Sequence, residues 1–516
     1  MPLKLASKTQ VSGHFFVRRR LAFALLRRSV SMEVNPVRWH RTLLMLSAVL
    51  GVVLIVGAFV YGWFRPAGVI ADSSKVVADR SSGAIYAVVG KRLYPALNLV
   101  SAQLIAGEPD APTFVSSAEI AKWPKGPTVG IEGAPVDMPA VSAPQMSRWA
   151  VCDTAANTIG GSPVVTGIDG ELTLGEPAGE LGGGEALLLS YGPMTYLVAN
   201  GHRMPVDMVH AAVTGPLGIT AGTSATPMSR ALFDALPAGG PLVVPLFAGA
   251  GTPSAVGLAP GLLIGAVVAS RDVASGSDRF YVVLADGIQE VSPVVASILR
   301  QNDSYGLANP LQISPDQLAR VPLRHVLDVD YYPRRPVRIV DAASRPVTCV
   351  AWQWSVSERQ ATLTVISGRG LPLRAEQRQK VVPLVGAGNG GVQANEVLVA
   401  GDPSTFVTTT GQALDSPARE TMWLISSTGS RYGVPFDDNS VQALGLDVSK
   451  VRPAPWSMLQ VWPAGPELSR AAALTVHSPS DDAVAVLPTK AKVAAGGYEK
   501  GGIPRCLRFV STHRHG

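Results

Sequence analysis

The sequence contains few residues able to bind a metal ion. It has three cysteines, Cys152, Cys349 and Cys506, no CxxC pair, and eight scattered histidines in 516 residues. A structural zinc site needs about four closely grouped Cys or His ligands. The sequence therefore predicts neither a metal site nor any other cofactor.

Signatures of common catalytic sites are missing as well. The segment GAIYAVVGKRL has six residues between Gly83 and Gly90, and Arg92 follows Lys91. A phosphate-binding loop has about four residues between its glycines, and a Ser or Thr after GK binds magnesium. The GxSxG elbow of serine hydrolases does not occur. We therefore expect neither a nucleotide-binding loop nor a hydrolase nucleophile.

The other candidate residues favour structural roles. His202, His210 and His325 are isolated and are expected on the surface or in packing. Asp437 and Asp438 could bind a cation, but together with Asn439 they are typical of a turn. Charged residues make up only 16% of the chain and apolar residues 47%, a composition that indicates a folded globular protein rather than a disordered one.

One long apolar segment is present, TLLMLSAVLGVVLIVGAFVYGWF, from Thr42 to Phe64. It has no charged residue, and a helix of this length crosses a bilayer at about 1.5 Å per residue. The alternatives are a buried core helix and a cleaved signal peptide. A core helix of this length would normally carry a polar stripe, and a signal peptide would have a shorter apolar region after a shorter leader. We therefore predict a retained single span.

The charges flanking this segment predict its orientation. Residues 1–41 contain nine Lys and Arg and one Glu, whereas residues 42–516 contain 35 basic and 37 acidic residues. Arg38, Arg41 and Arg65 lie next to the span. Basic flanks stay in the cytoplasm. The sequence thus predicts a cytoplasmic N-terminus and a large part outside the inner (plasma) membrane, and the basic balance is not taken as evidence for nucleic-acid binding.

An amphipathic helix is predicted over residues 12–31, with Ser12 as its cap. At helical spacing, one apolar side can contain Phe15, Phe16, Phe23 and Leu26, while Arg18, Arg19, Arg27 and Arg28 lie elsewhere. The helix could lie on lipid headgroups, dock a partner, or serve only as a basic flank that orients the span. For the docking role the candidate residues are Phe15, Phe16, Arg18, Arg19, Phe23 and Arg27.

A pattern recurs four times beyond the span. Its copies begin at Gly83, Met194, Arg279 and Ser430, and each has a strand with an aromatic residue, a turn and a second strand, followed by a short apolar helix. The aromatic residues are Tyr86, Tyr196, Tyr281 and Tyr432. A second half-motif follows, a capped helix ending at Trp123-Pro124, Leu236-Pro237 or Trp462-Pro463. The pattern predicts four α/β repeats.

The segments between the copies contain short β runs and predict one central β domain in two parts. Each part contains one cysteine in an apolar strand, so we expect Cys152 to pair with Cys349 in an oxidising compartment; two unrelated buried thiols are the alternative. The predicted divisions are 1–41 cytoplasmic, 42–64 transmembrane, 65–144 repeat 1, 145–193 central domain, 194–278 repeat 2, 279–333 repeat 3, 334–429 central domain, 430–480 repeat 4 and 481–516 disordered tail.

Seven stretches occur in one order over about residues 9–475: TQVSGHFFVRRR, DRSSGAIYAVVGKRLYPALNLVSAQLIAG, PTVGIEGAP, WAVCDT, MSRALFDALPAG, PVTCVAW and APWSMLQVWPAGPELSRAAAL. In these stretches the sequence resembles the EccB family, single-span membrane components of type VII (ESX) secretion systems. The resemblance implies an α+β protein with an amphipathic helix, one transmembrane helix and an elongated periplasmic part, in which four α/β modules surround a central β domain with the Cys152–Cys349 bridge.

The resemblance also implies a function. It indicates a scaffold that assembles with EccC, EccD, EccE and a mycosin protease, and with further copies of itself, to export small helical-hairpin proteins. Some family members are labelled ATPases, so an ATP-hydrolysing subunit with ATP as its ligand is one alternative. A cell-wall-binding module is another, and it would need exposed aromatic rings at Trp123, Trp456 and Trp462.

Overall fold

The computed structural model describes most of the sequence. The described residues are 7–27, 36–64, 70–71, 73–136, 138, 146–156, 161–272, 274–358, 360–385, 391–399, 404–436, 439–477 and 485–486. Within them the fold is mixed α/β, and most of the regular structure after residue 70 is in strands. The predicted mixed fold with an apolar helix near its start is confirmed at this level.

The chain forms two compact units. The first comprises Met1–Asp72, Asp79–Ser81 and Thr113–Lys122, and the second comprises Ser73–Ala78, Ser82–Pro112 and Trp123–Gly516. Two long helices, α1 (Lys8–Arg27) and α2 (Pro36–Phe64), belong to the first unit.

Helix α1 begins four residues earlier than predicted. Ser7 caps it: the Ser7 side-chain oxygen accepts a hydrogen bond from the Gln10 N–H, and the Gln10 side chain accepts one from the Ser7 N–H. This reciprocal pair satisfies two backbone donors at the helix start. The predicted cap, Ser12, lies inside the helix, and residues 28–31 of the predicted helix lie outside the described part.

Short elements make up the chain from residue 76 onward. The strands are β1 (Val76–Asp79), β2 (Ile85–Val89), β3 (Arg92–Ala96), β4 (Thr113–Val115), β5 (Thr128–Val129), β6 (Met146–Thr154), β7 (Val164–Asp169), β8 (Ala178–Glu180), β9 (Glu185–Tyr191), β10 (Met194–Ala199), β11 (His202–Val206), β12 (Thr226–Pro227), β13 (Val267–Arg271), β14 (Asp278–Val283), β15 (Ile288–Val291), β16 (Leu311–Gln312), β17 (Arg338–Ile339), β18 (Val347–Ser355), β19 (Thr362–Gly368), β20 (Val382–Pro383), β21 (Glu396–Val399), β22 (Ser404–Thr410), β23 (Met422–Ser426), β24 (Arg431–Val434), β25 (Arg452–Pro455), β26 (Thr475–His477) and β27 (Ala485–Val486). The helices are α3 (Leu99–Ala106), α4 (Ser117–Ala121), α5 (Ala211–Leu217), α6 (Arg230–Ala235), α7 (Pro293–Asn302), α8 (Pro315–Leu318), α9 (Ala375–Arg378), α10 (Ser440–Ala443), α11 (Trp456–Leu459) and α12 (Arg470–Ala473).

Two separated segments build one seven-stranded sheet, called the central sheet below. Its strand order is β20-β21-β7-β6-β18-β19-β8, with β6 and β18 antiparallel at its centre over nine residue pairs. The first three strands of the sheet in the chain precede residue 181, and the other four follow residue 346. The intervening chain therefore forms a large insertion between the two parts of one sheet.

Three further sheets share one strand arrangement. The second module comprises β9–β12 with α5 and α6, the third β13–β16 with α7 and α8, and the fourth β22–β25 with α10 and α11. In each, three consecutive strands pair antiparallel, a helix follows, and a fourth strand returns parallel to the first. The first module contains the corresponding antiparallel set β1-β2-β3 followed by α3. The first three modules thus begin one strand earlier than the sequence pattern predicts, and the fourth begins two strands earlier.

A pair of backbone hydrogen bonds closes every module. One residue in the third strand donates its N–H to a proline carbonyl at 2.9–3.0 Å, and its carbonyl accepts from the residue two positions beyond that proline at 2.8 Å. The closing residues are Leu93, Arg203, Ile288 and Arg431, the prolines are Pro124, Pro237, Pro322 and Pro463, and the donors beyond them are Gly126, Gly239, Arg324 and Gly465. The two predicted half-motifs are thereby joined in space.

The fourth copy of the pattern has a different register from the predicted one. Its hairpin joins β23 to β24, and its turn is at Ser427–Ser430, so Tyr432 lies on the third strand of the module. Trp423 pairs with Gly433, two residues after the closing residue, as Tyr196 pairs with Pro205 in the second module. Trp423 is therefore the equivalent aromatic residue. The turn predicted at 437–439 falls mostly outside the described residues.

Apolar side chains pack the modules of the second unit together in pairs. One cluster joins the first and fourth modules, and another joins the second and third through α5 and α7. A third cluster covers one face of the central sheet with α6 and α11, where the rings of Trp149 and Trp462 meet edge to face at 5.3 Å. The predicted disordered tail lies outside the described residues except at β27, which pairs with β26.

Candidate functional site: an apolar anchor and a cross-linked central sheet

Helix α2 carries the predicted membrane span. Its window Arg41–Tyr61 has a mean hydropathy of 2.8, and none of the window is buried, so its apolar side chains have no protein environment. The hydroxyl of Ser47 donates to the Leu44 carbonyl at 2.9 Å, which satisfies that polar group within the helix. Among the described residues this is the one helix long and apolar enough to cross a membrane.

The three arginines predicted to orient the span have different positions. Arg41 stands at the start of the apolar window, and Arg38 lies one turn earlier in the same helix. Arg65 lies outside the described residues. The helix thus extends the predicted span by about two turns on its basic side, where positive residues favour the cytoplasmic face.

Helix α1 exposes both apolar and basic side chains. Phe15 and Phe16 are exposed, as are Arg18 and Arg19. Arg19 lies four residues after Phe15 and three after Phe16, so it stands on the same face as both rings. The apolar face expected here is therefore interrupted by a charge. For Phe23 and Arg27 the structure describes the backbone in α1 only.

The central sheet contains the predicted disulfide. Cys152 of β6 and Cys349 of β18 are directly opposite each other, and their sulfur atoms are bonded at 2.06 Å. Both residues are fully buried in a small cluster on the face of the sheet away from α6 and α11. The predicted pairing is confirmed. The bond joins the two chain segments that flank the inserted second and third modules.

Two buried carboxylates attach flanking modules to the central sheet. Asp153 of β6 accepts hydrogen bonds from the Ser229 N–H at 2.6 Å and the Ser229 hydroxyl at 2.7 Å, at the start of α6. Asp169 of β7 lies 3.6 Å from a guanidinium nitrogen of Arg452, which is in β25. Burial raises the pKa of Asp153 to about 7 and raises that of Asp169 as well, although Arg452 opposes the second shift.

Sequence reasoning missed these two contacts. Asp169 is the last residue of an apolar strand and Asp153 the last but one, and a carboxylate at such a position could have indicated burial with a partner. The identity of the partners depends on which modules pack on the sheet, and no local pattern contains that information.

Arginines reinforce the closure of two modules. Arg203 lies over the ring of Phe233 at 3.7 Å, and its Nε atom donates to the Phe233 and Leu236 carbonyls. Arg431 contacts the rings of Trp423 and Trp456 in the fourth module, at 4.7 and 4.9 Å from their centroids, and donates to the Trp462 carbonyl at 2.8 Å. Both arginines thus hold the C-terminal end of a module helix to a hairpin by charge-assisted hydrogen bonds and cation–π contact.

The residues considered for catalysis are not assembled into a site. Lys91 is exposed in the two-residue turn between β2 and β3, and Gly90 before it has a φ of 64°. His202, His210 and His325 are on the surface or at its edge. Within the described part of the chain, no group of three His, Cys, Asp or Glu residues could hold a metal ion. Asp437 and Asp438 lie outside that part.

The tryptophans considered for wall binding have different environments. Trp462 is fully buried beneath the central sheet, Trp123 is half-buried, and Trp456 is 43% exposed. The ring beside Trp456 belongs to Trp423, and Arg431 contacts both rings. Trp462 therefore has a packing role, and it cannot offer a ring face to a sugar without unfolding of the module.

Comparisons with known proteins place these features in a family. The family described as "Type VII secretion system ESX-1, transport TM domain B" matches residues 3–481. The chain is similar to the Mycobacterium tuberculosis protein named "ESX-2 secretion system ATPase EccB2", with 42% identity over 96% of this chain and all of the relative. It is also similar to "ESX-5 secretion system ATPase EccB5" of the same species, with 41% identity over 92% of this chain and 94% of the relative.

Solved structures are similar over comparable lengths. A chain of an intact ESX-5 inner membrane complex matches with a TM-score of 0.72 and 39% identity, covering 95% of this chain and 99% of that one. A chain of an EccB3 dimer from an ESX-3 core complex matches with a TM-score of 0.69 and 39% identity, covering 78% of this chain and all of that one.

Proposed function

The chain belongs to the EccB family of type VII (ESX) secretion systems, and from this membership we propose that it is a non-catalytic scaffold subunit of an ESX inner-membrane complex. The observation that carries the proposal is the similarity, over nearly the whole chain, to a subunit inside a solved ESX-5 inner membrane complex. In this role the protein holds other subunits together and performs no chemical reaction itself.

The anchor supports a specific topology for this role. Helix α2 crosses the membrane once, and the strongly basic residues 1–41 remain in the cytoplasm. The second unit then lies outside the membrane, where an oxidising environment maintains the Cys152–Cys349 bond. Reporter fusions that place residue 477 in the cytoplasm would contradict this arrangement.

The partners follow from the family. The complex brings this chain together with EccC, EccD, EccE and a mycosin protease and exports small helical-hairpin proteins. The chain also binds copies of itself, which the existence of a solved EccB3 dimer supports. The four modules act as repeats of one structural unit, because their shared strand arrangement and closing hydrogen bonds give four related surfaces around one sheet.

The cytoplasmic helix is the contact to the membrane subunits. Exposed Phe15 and Phe16 with neighbouring arginines suit a protein groove lined by apolar and acidic groups. We expect deletion of residues 12–31 to release the chain from the complex in native gels of detergent extracts while it still pellets with membranes. Unchanged co-migration with the other subunits would refute the docking role. A chain that no longer pellets would instead indicate that α1 contributes to anchoring.

The word "ATPase" in the names of relatives suggests a rival function, which can be tested directly. Lys91 is the residue that would have to bind the phosphates of ATP if the chain were an ATPase, yet it lies in an exposed hairpin turn. The full chain purified in detergent should show no ATP turnover above that of a Lys91→Ala variant. A rate abolished by that substitution would support the rival function and refute the scaffold proposal.

A further inference from the structure

The first module carries three exposed basic side chains at the tip of its hairpin. We call them the basic tip: Lys91, Arg92 and Lys125. Lys91 and Arg92 follow Gly90 at the turn between β2 and β3, and the Arg92 guanidinium donates to the Lys125 carbonyl at 3.4 Å. The three residues therefore lie together at one end of the sheet. Among the described residues, no carboxylate forms an ion pair with any of them.

The frame of the module holds these cations in place. β2 and β3 are paired along their whole length, from Ile85 and Ala96 up to the turn. Leu93 makes the closing hydrogen bonds to the residues on either side of Lys125, at 2.9 and 2.8 Å. These bonds fix the backbone of Lys125 beside the start of β3. A ligand that binds the tip therefore does not have to order a loop, which would cost conformational entropy.

The neighbouring charges do not compensate the basic tip. Lys75 lies beside the tip, because its carbonyl accepts a hydrogen bond from the Val88 N–H, but Lys75 forms an ion pair with Glu108. These two charges cancel. Asp79 is at the far end of β1, which runs antiparallel to β2, and so lies away from the turn. The three cations of the tip thus remain as an excess of positive charge on this surface.

The other three modules have no Lys or Arg at the equivalent positions. The closing residues align the modules, and the positions compared are the two residues before each closing residue and the residue that is bridged to it. These are Gly201, His202 and Ala238 in the second module, Asp286, Gly287 and Leu323 in the third, and Gly429, Ser430 and Ala464 in the fourth. The shared fold does not require basic residues there, so the basic tip indicates a role particular to the first module.

The first module is the one that follows the membrane anchor in the chain. Residues 65–84 connect the end of α2 to the start of β2, and a chain of this length extends to at most about 70 Å. A tethered group meets a nearby surface at a high effective concentration, so a few weak contacts are enough to hold it there. Each Lys or Arg near an anionic lipid surface favours contact by a factor of about five.

We propose that the basic tip binds the phosphate groups of anionic lipids at the outer surface of the membrane that α2 spans. This inference goes beyond the scaffold role and rests on the proposed anchoring by α2. Val89 is directly opposite Arg92 across the turn and is 40% exposed, so an apolar side chain accompanies the cations at the level of the headgroups. The contact holds the first module at the membrane surface.

The experiment uses the full chain in lipid nanodiscs, whose two faces have the same lipids, so that the result does not depend on the orientation of the chain. In a Cys506→Ser background, Val89→Cys is labelled with a fluorophore; Cys152 and Cys349 are bonded to each other and do not react. Lipids with a nitroxide in the headgroup quench a fluorophore at the bilayer surface. Quenching should be strong with phosphatidylglycerol present and weak in phosphatidylcholine alone. About 1 M salt should abolish the difference, because the Debye length falls to about 3 Å.

Three sets of substitutions test the side chains. Lys91→Ala, Arg92→Ala and Lys125→Ala together should lower the ratio of bound to free tips on the order of 100-fold, and each alone about fivefold. Lys91→Arg, Arg92→Lys and Lys125→Arg together keep the charge and should keep the quenching. The matched control removes three other exposed cations of the second unit and should change nothing: Arg369→Ala, Arg374→Ala and Lys380→Ala.

Two results would overturn the proposal. Equal quenching in anionic and neutral nanodiscs, or quenching that the triple alanine variant retains, would mean that the tip does not bind lipid phosphate. Absence of lipid-dependent quenching together with loss of another subunit from the native complex of that variant would mean that the tip binds an acidic protein surface instead. The scaffold role is tested separately: a wild-type chain that is missing from the native complex would refute that role and leave the lipid contact standing.

Discussion

Asp153 accepts both hydrogen bonds that Ser229 can donate, one from the backbone N–H and one from the hydroxyl. The same serine hydroxyl accepts from the Leu232 N–H and caps helix α6. One carboxylate thus links the central sheet to the first turn of a helix in the second module. Asp153 is almost completely buried, and no cation is among its hydrogen-bond partners in the described structure.

Removing the charge of Asp153 should flatten the dependence of stability on pH. Burial raises its pKa from 3.8 to about 7, despite the two hydrogen bonds from Ser229. A carboxyl group whose pKa rises on folding stabilises the folded state below its unfolded pKa, and this contribution is lost as the pH rises through about 7. A shift of this size corresponds to as much as about 4 kcal/mol. The Asp153→Asn variant should lose most of the decrease in stability that the wild-type protein shows between pH 4 and pH 7.5. Thermal unfolding in detergent measures this slope of stability against pH.

The control for this experiment is Asp316→Asn, which changes an exposed carboxylate in α8. It should keep the wild-type slope. The comparison uses slopes because an asparagine at position 153 also exchanges an acceptor for an amide donor and lowers stability at every pH. A wild-type protein equally stable at pH 4.5 and pH 7.5 would contradict the raised pKa.

The sequence predicts local features of this fold well. The uncharged run Thr42–Phe64 predicts α2 because lipid solvates a helix whose surface is wholly apolar. The pairing of Cys152 with Cys349 follows from two similar apolar strands, since directly opposite residues of neighbouring antiparallel strands bring side chains within bonding distance. In both cases the deciding pattern can be recognised in the sequence itself, as one uncharged run or as two similar strands with one cysteine each.

Register and module boundaries are harder to predict. The pattern assigns Tyr432 to the first strand of the hairpin. The aromatic residue of that strand is Trp423 rather than a tyrosine, and the Asp437–Asn439 segment after Tyr432 resembles the turn of a hairpin. The pattern also leaves the strands β9, β13 and β22 outside their modules, because their sequences, EALLLSY, VVASR and STFVTTT, share no motif. What they share is a pairing partner, and pairing depends on contacts distant in sequence.

The Glu185–Arg345 ion pair should stabilise the fold at neutral pH and lose this contribution in acid. Both terminal nitrogens of Arg345 donate to the Glu185 carboxylate, at 2.7 and 3.0 Å. The hydrogen bond with Arg345 is the largest cause that lowers the pKa of Glu185 to about 2. Because the pKa is lowered on folding, the contribution is present above about pH 4.5 and is lost as the pH falls towards 2.

Arg345→Ala should therefore reduce the free energy of unfolding at pH 7 by about 1 to 2 kcal/mol. Arg338 also contacts Glu185 but is mostly exposed, so Arg338→Ala should reduce it by less than about 1 kcal/mol. Denaturant unfolding at pH 7 and pH 3 tests both variants. Equal losses for the two arginines would contradict the bidentate pair as the dominant contact.

Loss of the disulfide should destabilise the central sheet strongly. Cys152 and Cys349 are separated by 197 positions in the chain, so the bond restricts a very long loop in the unfolded state. The loop-entropy relation gives about 5 kcal/mol for this length. Cys152→Ala/Cys349→Ala should lose about that much in denaturant unfolding, whereas Cys506→Ser should change little. Alkylation of all three cysteines in protein purified without reductant would contradict the bond.

The tight closure of the modules should be sensitive to a single methyl group. A Cβ at Gly465 would lie 2.4 Å from a ring carbon of Tyr432, which stands next to the closing residue Arg431. Gly126 has the same relationship to Tyr94 in the first module, at 2.2 Å. The third module has no glycine at this position and no ring beside it. Arg324 replaces the glycine, and Gln289 replaces the tyrosine and donates a hydrogen bond to the Leu327 carbonyl.

Gly465→Ala should thus lower the free energy of unfolding by about 1 to 3 kcal/mol, because the ring must move out of a packed position. Gly370→Ala is the matched control: no atom lies within 4 Å of its added Cβ, and the change should stay within about 0.5 kcal/mol. Adding Tyr432→Ala to Gly465→Ala should cost less than the sum of the two single changes, because the steric conflict disappears with the ring. If the losses of stability in thermal unfolding were strictly additive, Gly465 and the Tyr432 ring would not be coupled. The closing hydrogen bonds alone would then have to explain the Pro-Ala-Gly ending.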